Sequence, residues 1–119
     1  MGGVSAHTLS KEERLSGRNA VSALLSGGRY GIAGCIKYCY KRDNGLDFSR
    51  ILVSVSKRNF KRAVKRNLLK RRIRESYRLR KELLGPGVDV MFIYTPKEVL
   101  SFAEISASMG EALSAISGK

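Results

Sequence analysis

The chain has a single histidine, His7, and only two cysteines, Cys35 and Cys39. A structural zinc site draws on about four such ligands at local spacing, so these three fall short of one. Four positions apart on a strand, the two thiols stand roughly 13 Å from each other, beyond disulfide reach. Reduced thiols fit a reducing compartment, and the expected location is the cytoplasm. One histidine leaves no Ser-His-acid set. The ten acidic residues are scattered and supply no carboxylate cluster for a two-metal nuclease. No glycine pair precedes Lys-Ser/Thr as a phosphate-binding loop requires. No run approaches the ~20 apolar residues of a membrane span. Met1 to Thr8 lack the basic-then-apolar order of a secretory signal. No catalytic residue, no metal ligand and no membrane contact is therefore assigned.

What the chain has is positive charge, +13 over 119 residues, and nearly all of it lies in one place. Lys57 to Lys81 contains 13 basic residues and one acid, Glu75. The other 94 residues hold 10 basic and 9 acidic side chains. So concentrated a block raises the local field and recruits polyanions. Hydrophobic residues make up 43% of the chain, enough for a core. Residues 1–9 read as a flexible tail and residues 10–119 as a single domain.

Ser10 and Glu13 fit a capping box opening a first helix, with Leu15, Val21, Leu24 and Leu25 on one face. Gly27-Gly28 stops it. Cys35 to Tyr40 alternates as a strand, with Ile36, Tyr38 and Tyr40 on one face and Cys35, Lys37 and Cys39 on the other. Asp43-Asn44-Gly45 is turn chemistry, and a hairpin to a second strand, Phe48 to Ser56, is expected. A long helix follows from about Arg62 to Leu84, ended by Gly85-Pro86-Gly87. Val88 to Tyr94 reads as a third strand. Phe102 to Ile116 reads as a closing helix, with Phe102, Ile105, Met109, Leu113 and Ile116 recurring every three or four residues. The order helix, two strands, helix, strand, helix predicts a small α/β sandwich (αββαβα) with helices covering the sheet.

Helical residues advance about 100° each. With Val64 at zero, Leu68, Leu69, Ile73, Leu79, Leu83 and Leu84 fall between about 40° and 200°, an apolar face. Asn67, Lys70, Arg71, Arg74, Arg78 and Lys81 fall between about 240° and 340°, with Glu75 outside near 20°. Lys70, Arg74 and Arg78 form a column of like charges, which disfavours the helix by a few tenths of a kcal/mol per pair. Folding gives no reason to keep such a column, whereas a polyphosphate does, because each neutralised phosphate releases counterions. Arginine outnumbers lysine, and its fork suits irregular RNA better than a membrane surface. Ser54, Ser56, Lys57 and Arg58 run from the second strand toward this helix and are further backbone contacts, unless they are ordinary outward-facing residues. Tyr38 and Tyr40 offer stacking surfaces beside Lys37, unless, sharing a face with Ile36, they belong to the core.

Ser54-Val55-Ser56-Lys57-Arg58, followed by Ala63-Val64-Lys65-Arg66-Asn67-Leu68-Leu69-Lys70-Arg71-Arg72-Ile73-Arg74-Glu75, resembles the signature of the bacterial ribonuclease P protein subunit. Leu9 to Leu15, the Gly27-Gly28 stop and the closing strand-Pro-helix fall where that family has them. The resemblance implies a left-handed crossover carrying the basic helix, an architecture like that of the second domain of a small-subunit ribosomal protein. It implies binding to the catalytic RNA of ribonuclease P and to the single-stranded 5′ leader of precursor tRNA. It further implies a holoenzyme that hydrolyses one phosphodiester bond to expose the mature tRNA 5′ end. In that holoenzyme Mg2+ is held mainly by the RNA, and the polypeptide alone is not catalytic. No obligate protein partner is implied.

On this resemblance the RNA-binding residues are Lys57, Arg58, Arg66, Asn67, Lys70, Arg71, Arg72, Arg74 and Arg78. Leu68 stands where the family's Arg-Asn-Arg has its third arginine, and the neighbouring Arg72 is expected to compensate in part. One extra residue lies between Lys57 and Ala63. The leader cleft takes Val21, Leu25, Lys37, Tyr38, Tyr40, Ser54 and Ser56, with Val21 and Leu25 where the family often has two phenylalanines. A structural ribosomal RNA-binding protein, a DNA-binding regulator and a free-standing nuclease are the alternatives. The last two fit poorly, for want of a short recognition helix and of a carboxylate cluster.

Overall fold

The computed structural model describes residues 13–118. Ser10 of the expected capping box and the expected tail, residues 1–9, lie outside the described residues. The elements are α1 (Arg18–Gly27), β1 (Arg29–Ala33), β2 (Ile36–Arg42), β3 (Arg50–Val55), α2 (Ala63–Arg78), β4 (Val88–Tyr94) and α3 (Phe102–Ser117), with a 3-10 turn at Lys81–Leu83. The four strands form one sheet in the order β1-β2-β4-β3. β1 and β2 are antiparallel, as are β2 and β4, while β3 and β4 are parallel. A parallel pair needs a long crossover, and α2 is that crossover.

The fold corrects the expected strand set in two respects. The first is an additional strand, β1, which hairpins with β2 through Gly34 at φ 55°. Gly31 hides its alternation, because the Tyr38 ring lies across that position and a Cβ there would stand 2.4 Å from the hydroxyl. The second is the expected hairpin between β2 and β3, which does not form, because β4 lies between them. The Asn-Gly turn is real but closes a different loop. Asn44 donates through its side-chain amide to Phe48 O (3.2 Å) and Asp89 Oδ1 (2.9 Å), and through its backbone to Gly87 O (3.0 Å). Arg50 clamps the same carboxylate with two bonds, 2.9 and 2.7 Å, and so fixes the start of β4 beside β3.

The first helix is shorter than expected. Gly17, at φ 93°, breaks the chain ahead of Arg18. Leu15 is not on the helix. Its N–H donates to Ile51 O (2.7 Å), and Arg14 bridges in parallel to Ile51, so this segment covers part of the open edge of β3.

The main core lies between the sheet and the pair α2 and α3. Ile36, Val90 and Phe92 from the sheet meet Leu69 and Ile73 from α2 and Ile105, Met109, Leu113 and Ile116 from α3, all fully buried. The closing helix keeps its expected face and opens with a capping box, Ser101 with Glu104. Across the sheet, α1 seals a smaller core of Leu15, Leu24 and Cys39, packed by Ala20, Leu52 and Met91. The two thiols are free and sit in separate cores: Cys35 precedes β2 and turns to Ser108 on α3, while Cys39 faces α1.

The basic helix ends at Arg78, earlier than the sequence spacing predicts. Arg80 leaves the helical path and anchors its guanidinium on Ser106 of α3. Leu79 and Leu83 are exposed as a result, and of the expected apolar residues beyond Arg78 only Leu84 is buried.

Candidate nucleic-acid interface

The buried residues of α2 are Leu69, Ile73, Ser76 and Tyr77. On the 100° wheel they centre near 165°, so the outward ridge lies near 345°, at Val64 and Arg71. Val64 is 79% exposed. The two flanks of the ridge face different neighbours. Arg14, beside β3, lies close enough to Arg74 to repel it, so the flank of Asn67, Lys70 and Arg74 faces the β3 edge. Arg72 donates to Leu100 O (2.6 Å), so the opposite flank faces the start of α3.

On the β3 flank Lys70, Arg71 and Arg74 form no ion pair with any described residue. Burial, and then repulsion from Arg14, lower the pKa of Arg74. An arginine so placed stays charged, since its ordinary value lies far above neutral pH. The energetic signature is that of a site awaiting an anion: like charges held together on a helix that packing, not charge, stabilises.

Two expected members of the stripe, Arg78 and Lys81, are committed elsewhere, as are Arg66 and Arg72 on the same helix. Glu75 closes on Arg78 through both carboxylate oxygens, with bonds of 2.9 and 3.0 Å among them, so an acid does interrupt the stripe at its C-terminal end. The pairing lowers the pKa of Glu75 and raises that of Arg78. Lys81 lies beyond the helix and pairs with Glu13 at 3.1 Å. Arg66 donates to Phe60 O (2.7 Å) and Lys61 O (2.9 Å), which holds the turn carrying the extra residue. Arg72 shares the flank of Leu68, outside the stripe, and its guanidinium is tied to the Leu100 carbonyl at the start of α3.

Removing the interrupting acid predicts a gain. Glu75→Gln releases Arg78 from this carboxylate and deletes a negative charge from the helix surface. RNA affinity in a filter-binding titration should rise about two- to fivefold at low salt, with the gain vanishing at high salt.

Lys57 and Arg58 follow β3 and are exposed. Ser56 does not point into the sheet face. Its hydroxyl accepts from Arg58 N–H (3.0 Å) and its carbonyl from Phe60 N–H (3.0 Å), which seats the buried Phe60 against Tyr94 and presents the two cations at the strand end.

The second surface is the half of the sheet that α1 leaves open. Ile32, Lys37, Ile93 and Ser54 stand in register across all four strands. The row below them, Cys39, Met91 and Leu52, is the one α1 covers. Ile32 is 67% exposed and Tyr30 is 52% exposed. The Lys37 ammonium stands 5.7 Å from the Tyr30 ring centre, and the Tyr30 hydroxyl donates to Leu25 O (2.9 Å). Ala20 and Ala23 face the Asn44–Asp89 side of α1, which turns Val21 and Leu25 toward the open row.

This geometry brings Val21, Leu25, Lys37 and Ser54 together and excludes Tyr38 and Tyr40. Both tyrosines are on the opposite face: Tyr38 is buried in the main core, and Tyr40 packs against that core beneath Arg42. The alternation that placed them with Ile36 decides this, because Ile36 is fully buried on that side. Tyr30, Ile32 and Ile93 take their place. Ile93 alternates with the buried Phe92 and Tyr94 and was legible. The other two sit on β1, which Gly31 disguised.

Among the described residues, no three or more His, Cys, Asp or Glu side chains gather closely enough to hold a metal ion. No helix of the described residues is long and apolar enough to cross a membrane.

The family model described as Ribonuclease P matches residues 9–117. The ribonuclease P protein component of Porphyromonas gingivalis is 33% identical, over 92% of this chain and 87% of that protein. That of Pseudomonas aeruginosa is 37% identical over 70% of this chain and 61% of its own length. Among solved structures, the RNase P protein from Thermotoga maritima superposes with a TM-score of 0.77 at 27% identity, covering 87% of this chain and 97% of its own. That from Staphylococcus aureus gives 0.77 at 23% identity, over 87% and 94%. With the family model spanning the whole described domain, and with the sheet order and the basic crossover helix in place, this chain belongs to the ribonuclease P protein family.

Proposed function

We propose that the chain is the protein subunit of a ribonuclease P ribonucleoprotein. Its partner is the ribonuclease P RNA, and its role is tRNA 5′ maturation. The stripe of Asn67, Lys70, Arg71 and Arg74, with Lys57 and Arg58, binds RNA backbone. The open row of Ile32, Lys37, Ile93 and Ser54, flanked by Tyr30, Val21 and Leu25, takes the single-stranded 5′ leader of precursor tRNA. Half-exposed apolar side chains accept base faces there, and Lys37 and Ser54 hold phosphate or sugar.

The observation that carries this is the set of three cations on α2 left without an ion pair among the described residues, on a helix whose inner face is fully used by the core. In this reading magnesium is held mainly by the RNA, and the protein's work is to bind and position. The cytoplasm is the compartment proposed for it.

Reconstitution tests the assignment. The purified chain alone should leave precursor tRNA intact. Added to a bacterial ribonuclease P RNA at limiting magnesium, it should accelerate removal of the 5′ leader, and the gain should grow with leader length. A chain that binds RNA yet leaves cleavage unchanged would be a structural RNA-binding protein instead.

A further inference from the structure

A groove of about 480 Å³ lies where the turn before α2 meets the loop between β4 and α3. Lys61, Arg62, Lys65 and Lys97 wall it, against one carboxylate, Glu98, with Val99 beside them. All four cations are exposed, and none has an ion-pair partner among the described residues. The first turn of α2 opens into the same region, and its N-cap, Arg62, offers no side-chain acceptor. The backbone N–H groups of that turn and the positive end of the helix dipole therefore add to the cations.

The walls are fixed rather than loose. The Tyr94 hydroxyl donates to Glu98 O (2.6 Å) and accepts from Leu100 N–H (3.0 Å), which pins the loop carrying Lys97. Arg72 adds its bond to Leu100 O (2.6 Å). On the other side Arg66 holds the carbonyls of Phe60 and Lys61. Three side chains thus spend their polar groups on holding apart two walls lined with like charge. Folding alone gives no return for that arrangement, whereas an anion between the walls does.

We propose that this groove is a second RNA-backbone site, holding phosphates of the ribonuclease P RNA on the flank of α2 opposite the Asn67–Arg74 stripe. This rests on the assignment to ribonuclease P above. The catalytic RNA is favoured over the leader because the open sheet row lies on the α1 side, while the groove lies on the α2 and α3 side. Lys65, near 100° on the helix wheel, and Lys97 also restore positive charge on the flank where Leu68 stands.

The test compares Lys61→Ala/Lys65→Ala/Lys97→Ala with the triple arginine variant at the same positions, full chain, over a salt series with ribonuclease P RNA. The alanine variant should bind about tenfold or more weakly, with a log–log salt slope shallower by about 2 to 3. The arginine variant should restore both. In holoenzyme, the affinity ratio between long-leader and short-leader precursor tRNA should stay at the wild-type value. Unchanged affinity and slope in the alanine variant would overturn the proposal, and a lost leader ratio would overturn its choice of RNA. A wild-type chain that fails to bind this RNA at all would remove the assignment beneath it as well.

Discussion

Replacing Lys70, Arg71 and Arg74 together with alanine should weaken binding to ribonuclease P RNA by about 3 kcal/mol, roughly a hundredfold, at near-physiological salt. The same variant should be no less stable than the wild type. Lys70 and Arg74 are a like-charge pair one helical turn apart, and Arg14 presses on Arg74 from the β3 edge. Removing them relieves repulsion, and alanine is the better helix former. Affinity falling while the thermal midpoint holds or rises is the signature of residues kept for a ligand. A midpoint that falls in step with affinity would mean these cations serve the fold. Gel-shift titration and thermal melts on one preparation give both numbers.

Phe92→Ala should behave in the opposite way. Phe92 is fully buried at the centre of the sheet, in register with Tyr38 and Val53, and its ring centre is 6.0 Å from that of Tyr77 on α2. Emptying that position costs about 3 to 5 kcal/mol, the range for large-to-small changes in a close-packed core. Against a typical total of about 5 to 15 kcal/mol this is roughly a fifth or more of the stability. Urea denaturation should show the midpoint falling sharply. RNA affinity, measured where the variant is still folded, should change little, because Phe92 supports α2 from beneath and touches none of the free cations. A variant that stays stable would contradict the packing of α2 on the sheet.

Sequence periodicity revealed most of the helices and strands because their inner faces are strictly patterned. Ile105, Met109, Leu113 and Ile116 recur every three or four residues and are all fully buried. β4 was found with its bounds. What failed was information that lives between segments. Asn44-Gly45 is a turn by its chemistry, but nothing local says that β4 will insert between β2 and β3. β1 was missed because its middle residue, Gly31, is small for the sake of a tyrosine on the neighbouring strand.

The site divided along the same line. The cationic stripe follows from helical angle alone, so Asn67, Lys70, Arg71 and Arg74 share a flank as expected. Which cations remain available does not follow from angle. Arg66, Arg72, Arg78 and Lys81 are engaged by a turn, a loop, a neighbouring acid and a distant acid. For the same reason Tyr38 and Tyr40, aromatic and next to a lysine, went to the core, while Tyr30, on the unseen strand, went to the open face.

The salt dependence of wild-type binding to ribonuclease P RNA is the most direct test of the central claim. Engagement of five or more phosphates by Lys57, Arg58, Lys70, Arg71 and Arg74 predicts a plot of log K against log salt with a slope of about −4 or steeper. A slope near −1 would mean that the exposed cations of this helix stay in solvent when RNA binds, and the interface described here would be the wrong one.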